Sequence, residues 1–162
     1  MIRIALLRDL HEIVAIYNEA VEERFATGDL RPVTTAERTA WFHEHDPSTL
    51  PIYLFEEEGE VAGWCSLSAY RRGREAFVGT AEISYYLRRR ARGRGIGSAL
   101  VRHAVNEAPR TGKRVLFAIL LERNAASIRL MQRCGFALWG RLPDVASIDG
   151  ELVSHLYYGR KV

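Results

Sequence analysis

The sequence predicts an α/β fold of mixed type, one sheet with helices on both faces, and three observations carry that prediction. Apolar residues recur at helical spacing in four stretches and alternate, or run on, in seven others. The two kinds interleave in the order β-α-α-β-β-β-α-β-α-β-β, which neither an all-helical bundle nor a β-sandwich produces. A glycine-rich turn, Arg92-Gly93-Arg94-Gly95-Ile96-Gly97, joins a strand-like stretch to a helix-like one.

Each element has its own signal. Ile2 to Ala5 reads as a first strand. Leu10, Ile13, Val14, Tyr17 and Val21 recur at helical spacing, so Asp9 to Glu23 is an amphipathic helix with Asp9 near its start. A loop from Phe25 to Val33 leads to Thr34-x-x-Glu37, a capping box that opens a second helix to about His45, ended by Asp46-Pro47. Tyr53 to Glu57 and Val61 to Ser68, joined at Glu58-Gly59-Glu60, form an antiparallel hairpin, and Tyr70 to Val78 is a polar, arginine-bearing loop. Thr80 to Leu87 alternates, with Ala81, Ile83, Tyr85 and Leu87 on one face and Glu82, Ser84 and Tyr86 on the other. Beyond the turn, Ser98 to Ala108 is helical with Ala99, Leu100, Ala104 and Ala108 on its apolar stripe. Arg114 to Leu120 is apolar on both faces, as a buried central strand requires. Asn124 to Cys134 is a short helix aligning Ser127, Leu130, Met131 and Cys134, stopped by Gly135. Phe136 to Ala146 and Leu152 to Arg160 flank the hairpin signal Asp149-Gly150.

A length of 162 residues with no linker or repeat fits one domain, residues 1–162. No run of 18 apolar residues exists and the N-terminus begins at once with a strand pattern, so a cytoplasmic protein with no membrane partner is expected. Cys65 and Cys134 lack a C-x-x-C partner and read as buried, reduced thiols. The histidines offer no metal spacing stronger than His43-x-His45; all five, His11, His103 and His155 included, read as surface residues, and no metal is expected.

The glycine turn is where chemistry concentrates. Glycines at alternate positions let backbone N–H groups turn inward, and the following helix adds its positive end, which makes a cradle for an anionic, phosphate-bearing ligand. The turn lacks the GK[ST] ending of a nucleotide-triphosphate loop. It also lacks the G-x-G-x-x-G spacing and later acidic residue of a dinucleotide site. The net charge of +3 is gathered in Arg88, Arg89, Arg90, Arg92 and Arg94. Such a run fits either a nucleic-acid patch or bidentate pairing with a ligand's phosphates. No aromatics are interleaved for base stacking and the run abuts the turn, which favours phosphate pairing without nucleic acid, some of the five staying solvated.

Arg92-x-x-Gly95-x-Gly97 resembles the [QR]-x-x-G-x-[GA] loop of the GNAT superfamily of N-acetyltransferases. The resemblance extends along the chain through Ile16-Tyr17-Asn18-Glu19-Ala20-Val21, Glu37-Arg38-x-x-Trp41-Phe42, Gly63-Trp64, Thr80 to Leu87, Asn124-x-x-Ser127-x-x-Leu130 and Gly135-Phe136. It continues in Gly140-Arg141-Leu142-Pro143, Asp149-Gly150 and Gly159-Arg160. This set is similar to the phosphinothricin and methionine sulfoximine acetyltransferase branch. The resemblance implies a twisted, mostly antiparallel sheet of about seven strands and acetyl-CoA as cosubstrate. It implies a small amino-acid-like amine as acceptor, direct attack in a ternary complex, and a homodimer through the last strands.

Residue by residue, it implies that Arg92, Gly93, Arg94, Gly95, Ile96, Gly97 and Ser98 hold the coenzyme pyrophosphate. The backbone of Tyr85, Tyr86 and Leu87, on a strand that splays from its neighbour, holds the thioester carbonyl. Asn124 contacts the pantetheine arm, with Ser127 beside it. Glu82 is the matching base, directly or through a water, while Phe25 and Arg72 belong to the acceptor pocket. Three positions depart from the pattern: Met131 stands where many relatives carry a Tyr or His that protonates sulfur, and Arg71 and Val78 replace a tryptophan and a second arginine. Two further readings remain open, a protein N-terminal or lysine acetyltransferase with the same coenzyme, and a non-catalytic coenzyme A-binding module.

Overall fold

A computed structural model describes residues 1–162. Seven strands form one sheet in the order β1-β2-β3-β4-β5-β7-β6, with β1 Ile2–Ile4, β2 Ile52–Glu57, β3 Glu60–Ala69, β4 Thr80–Leu87, β5 Val115–Leu121, β6 Ala137–Ile148 and β7 Glu151–Lys161. Every pairing is antiparallel except β4 with β5. Helices α1 (Leu10–Glu23) and α2 (Thr35–His43) cover one face, and α3 (Ile96–Glu107) and α4 (Ala125–Arg133) the other.

The alternation along β4 separates two cores. Ala81 and Ile83 are buried with Leu100, Val101, Ala104 and Met131 beneath α3 and α4, whereas Tyr86 packs with Trp64, Ile13 and Tyr17 beneath α1 and α2. The capping box closes as the sequence predicts: Thr34 N–H donates to Glu37 Oε2 at 2.7 Å and Glu37 N–H returns to Thr34 Oγ1 at 3.2 Å. The β6–β7 turn has Asp149 and Gly150 both at positive φ, 52° and 84°, matching a type I′ hairpin.

Some details differ from expectation. Asp9 does not cap α1; its carboxylate accepts from Arg3 at 2.7 and 3.0 Å and from Leu6 N–H at 2.8 Å, fastening β1 to the helix start. On α3 the buried stripe runs through Leu100, Val101, Ala104 and Val105, with Ala99 only half-buried, because the helix leans on β3 and β4 through its β-branched face. On β5, Leu116, Ala118 and Leu120 enter the core, but Phe117 and Ile119 on the opposite face are only half-buried. On that second face Ile119 borders a cavity, and Phe117 packs among Tyr70, Trp139 and Tyr157.

The decisive feature is a fork. β4 and β5 pair only at Thr80–Val115, Ala81–Leu116 and Glu82–Phe117, after which the strands part. From Ile83 to Leu87, β4 keeps β3 as a partner on one side and leaves its other edge free, as the resemblance implied. β5 meanwhile stays paired with β7 along its whole length.

Candidate active site

The glycine turn lies on the α3/α4 side of the fork. Gly93 and Gly95 have φ of 75° and 85°, values an L side chain resists, and Gly95 is the residue from which α3 starts. Gly97 serves packing instead: a Cβ there would stand 2.8 Å from Leu130 Cδ1 and 3.3 Å from Leu87 Cδ1. No backbone N–H from Gly93 to Ser98 has an acceptor within the chain, so six free donors lie at and just before a helix N-terminus. This set fits a pyrophosphate. From the turn, a groove of about 350 Å³ runs along Arg92, Gly93, Leu87, Tyr85, Ser127 and Asn124, with Arg129 and Arg133 on its α4 wall.

The sequence-predicted residues divide accordingly. Tyr85, Tyr86, Leu87, Arg92, Gly93, Asn124 and Ser127 all line this groove. Gly95, Ile96, Gly97 and Ser98 contribute backbone, since the Ile96 side chain is buried in the core. The Arg94 side chain turns away to Glu57 at 2.8 Å. Asn124 Oδ1 accepts from Ser127 N–H at 3.1 Å, so Asn124 caps α4 while lining the groove. Tyr85 OH donates to Ser127 Oγ at 2.7 Å; burial pushes the phenol up to about 12, which keeps its proton in place at neutral pH. Met131 is fully buried in the core and presents nothing to the groove.

The arginine run is engaged by carboxylates throughout. Arg88 meets Glu12 and Glu19, Arg89 meets Glu22 and Glu23, Arg90 meets Glu60, Arg92 meets Glu23 at 2.7 Å, and Arg94 meets Glu57. Only Arg92 of the five also lines the groove, where Arg129 and Arg133 carry no carboxylate partner. The run is thus largely an internal clamp between α1, the β2–β3 turn and the start of α3. The sequence pattern did not disclose this because the partners lie as far as 76 positions away.

On the other face of the fork, a cavity of about 380 Å³ holds Glu82, Ser84 and Tyr86 of β4, Ser66 and Ser68 of β3, Arg38 and Trp41 of α2, and His155 of β7. Glu82 is opposite Phe117 at the last paired position before the strands part. No cation pairs with it, and burial raises its carboxyl above the ordinary glutamate value, partly opposed by a hydrogen bond from Ser84. Ser66 is buried and its hydroxyl has no partner. Ala26 and Tyr86 line both cavities, so the groove and the Glu82 cavity meet through the fork.

Two acceptor-pocket candidates lie outside the Glu82 cavity. Arg72 pairs with Glu44 at 2.6 Å and lines a neighbouring cleft with Trp41, His45 and Ser68, outside the Glu82 cavity. Phe25 lines the coenzyme-side groove, and its neighbours Ala26 and Thr27 reach the acceptor side in its place. Nor are all the histidines superficial: His45 Nδ1 meets Trp41 O at 2.7 Å and Nε2 meets Ser68 Oγ at 3.0 Å, while His155 faces the cavity and burial lowers its pKa, so its ring is neutral at pH 7. Arg38 and His155 were not legible as cavity residues, because α2 shows a weak apolar face and β7 reads only as alternation. No group of three or more His, Cys, Asp or Glu is placed to hold a metal, and no helix is long and apolar enough to cross a membrane.

A split sheet with a glycine turn of free N–H groups on one face and an unpaired carboxylate on the other fits the class of acyl-transfer enzymes that use a coenzyme thioester. The acetyltransferase (GNAT) family model matches residues 10–136, and the chain belongs to that family. It is an acetyl-CoA-dependent N-acetyltransferase. It is 39% identical over 150 residues to the L-methionine sulfoximine/L-methionine sulfone acetyltransferase of Pseudomonas aeruginosa, covering 92% of this chain and 87% of that one. Among solved structures, a GNAT superfamily phosphinothricin acetyltransferase from Sinorhizobium meliloti in complex with acetyl-CoA superposes with a TM-score of 0.93. It has 31% identity and covers all of this chain and 88% of that chain. The ribosomal-protein-alanine N-acetyltransferase of Brucella melitensis superposes equally well, at 0.93 and 33% identity, over all of this chain and 99% of its own.

Proposed function

We propose that the protein transfers the acetyl group of acetyl-CoA to the primary amine of a small amino-acid-like acceptor of the methionine sulfone, methionine sulfoximine or phosphinothricin type. The observation that carries the acceptor class is the size and aromatic lining of the Glu82 cavity, about 380 Å³ walled by Tyr17, Trp41, Trp64 and Tyr86. That space suits the side chain and amino group of a small acceptor. The names of the relatives support the same class. The Brucella relative keeps protein N-terminal acetylation as the second reading.

The cosubstrate supplies an activated acetyl thioester; the chain supplies the rest. The six free N–H groups from Gly93 to Ser98 receive the pyrophosphate, with Arg92, Arg129 and Arg133 at the groove wall. The free edge of β4 from Tyr85 to Leu87 offers N–H donors to the carbonyl oxygen. Glu82 takes a proton from the acceptor ammonium, whose ordinary pKa near 10 leaves it charged at neutral pH. The freed amine nitrogen bonds to the acetyl carbon as the carbon–sulfur bond breaks, in one ternary complex. The departing thiolate takes the second proton that the nitrogen loses as the amide forms; Met131 has none to give, and the Ser127 hydroxyl, held by Tyr85 OH, is the hydrogen-bond donor this groove offers the sulfur.

The reading extends to the whole chain as one catalytic domain and to a homodimer through the β6–β7 hairpin. Leu138, Trp139, Leu142, Val145 and Leu152 there are at least 40% exposed. Two buried free cysteines support a cytoplasmic setting. The test is a thiol-release assay of the purified protein with acetyl-CoA against methionine sulfone, methionine sulfoximine, phosphinothricin and an N-terminal alanine peptide. Turnover of the free amino acids at least tenfold above the peptide is expected. The reverse order would transfer the assignment to the second reading.

A further inference from the structure

The acceptor cavity contains one permanently charged side chain besides Glu82, and it is not the arginine that the sequence suggested. Arg38 projects from the first turns of α2 into the cavity wall. Its guanidinium lies over the Tyr17 ring at 4.6 Å and near Trp41 at 5.7 Å. Nη2 donates to Asp29 Oδ2 at 3.0 Å, and that same carboxylate oxygen accepts Tyr17 OH at 2.6 Å. Thr27 completes the arrangement through Tyr17 OH at 2.7 Å. Arg38 is therefore held on one side by a fixed carboxylate and on its flat faces by aromatic rings. Its Nε and Nη1 donors have no partner in the chain.

A guanidinium immobilised in this way has already lost the rotamer freedom that ligand binding would otherwise cost, and its remaining donors form a planar fork. Glu82, in the same cavity, has no cation beside it, and burial raises its carboxyl above the ordinary glutamate value. The Tyr86 hydroxyl lies within electrostatic reach of both Arg38 and Glu82. The cavity therefore carries both a cation and a base. That combination matches an acceptor bearing an anionic oxygen group and an amine.

Resting on the acetyltransferase reading above, we infer that Arg38 is the anion anchor of the acceptor cavity. It binds an oxyanionic group of the acceptor while the amine is presented to Glu82. Arg72 lines the adjoining cleft and not this cavity. The anionic group is either the α-carboxylate or a side-chain oxyanion, since both offer the same pair of acceptor oxygens.

Three acceptors separate these sources: methionine sulfone, anionic only at its α-carboxylate; its methyl ester, without an anion; and phosphinothricin α-methyl ester, anionic only at its phosphinate. Steady-state kinetics on the wild type and Arg38→Met are expected to show KM raised about 10- to 100-fold for an anionic acceptor, the scale of a lost charged hydrogen bond, with kcat within a few-fold. KM for the methyl ester of the sulfone stays unchanged. A rise confined to methionine sulfone assigns the α-carboxylate, and one confined to the phosphinate assigns the side chain. Arg38→Lys, which keeps charge but not the fork, recovers part of the loss. Equal changes for all three acceptors, no change, or a larger anion-specific rise in Arg72→Ala would overturn the assignment. A wild type that acetylates no amine while binding acetyl-CoA would instead remove the acetyltransferase reading on which this one rests.

Discussion

Glu82 stands at the last paired position before the fork and has no cation for company, so burial sets its proton affinity. A carboxyl raised above the ordinary value deprotonates as pH rises through that raised pKa, and the rate should climb with it. Glu82→Gln is expected to retain acetyl-CoA affinity within a few-fold and to lose about 10²- to 10⁴-fold in kcat, with the rising limb of the pH profile gone. A variant that keeps that limb would assign it to another group. At the same scale, Tyr85 OH polarises Ser127 by donating to it, leaving the Ser127 proton free to point into the groove. Tyr85→Phe should lower kcat about tenfold, roughly one hydrogen bond's worth, with calorimetric acetyl-CoA affinity little changed. Parallel losses of affinity and melting temperature would make the pair a strut between β4 and α4 instead.

The elements around the site are built from local chemistry with long-range consequences. α3 begins at Gly95 because a residue at φ 85° breaks the preceding turn and leaves the first N–H groups of the helix free. Gly95→Ala places a Cβ on that left-handed backbone at a cost of about 1–2 kcal/mol. It should weaken acetyl-CoA binding in calorimetric titration, and an unaltered Kd would detach the turn from the coenzyme. Where β1 meets α1, Asp9 is held below the usual carboxylate range, first by the hydrogen bond from Arg3 and despite its burial. A depressed folded pKa contributes stability that is present above the ordinary aspartate value and lost as pH falls through the folded one. Asp9→Asn is therefore expected to cost about 1.5–3 kcal/mol near neutrality and to converge with the wild type in strong acid, measured by urea unfolding across pH.

At the scale of the molecule, the sheet is continuous on the β1–β4 side and on the β5–β7–β6 side, and the active site is the seam between the halves. The basic run pairs with the acidic face of α1 and with Glu57 and Glu60 at the β2–β3 turn, so its charge is spent within the fold. The β6–β7 hairpin carries apolar residues outward on a strand whose outer edge has no partner, in the pattern of an interface between copies. Light scattering is expected to give twice the 18.4 kDa chain mass, and Val145→Glu with Leu152→Glu to give single chains of unchanged far-ultraviolet spectrum. A wild type of single-chain mass would remove the dimer from the proposal.

The sequence by itself determined the order of elements, the capping box, the hairpin, the two faces of β4 and the position of the glycine turn, because each depends on neighbours within a few residues. It also marked Glu82, whose register on β4 follows from alternation alone. Only the tertiary structure decided what surrounds these residues. Glu12 and Glu19 reach Arg88 from far along the chain, Arg72 was drawn to Glu44, and Arg38 was brought beside the cavity. Ion-pair partners and cavity walls are set by which surfaces the packed helices bring together. Local periodicity carries no record of that.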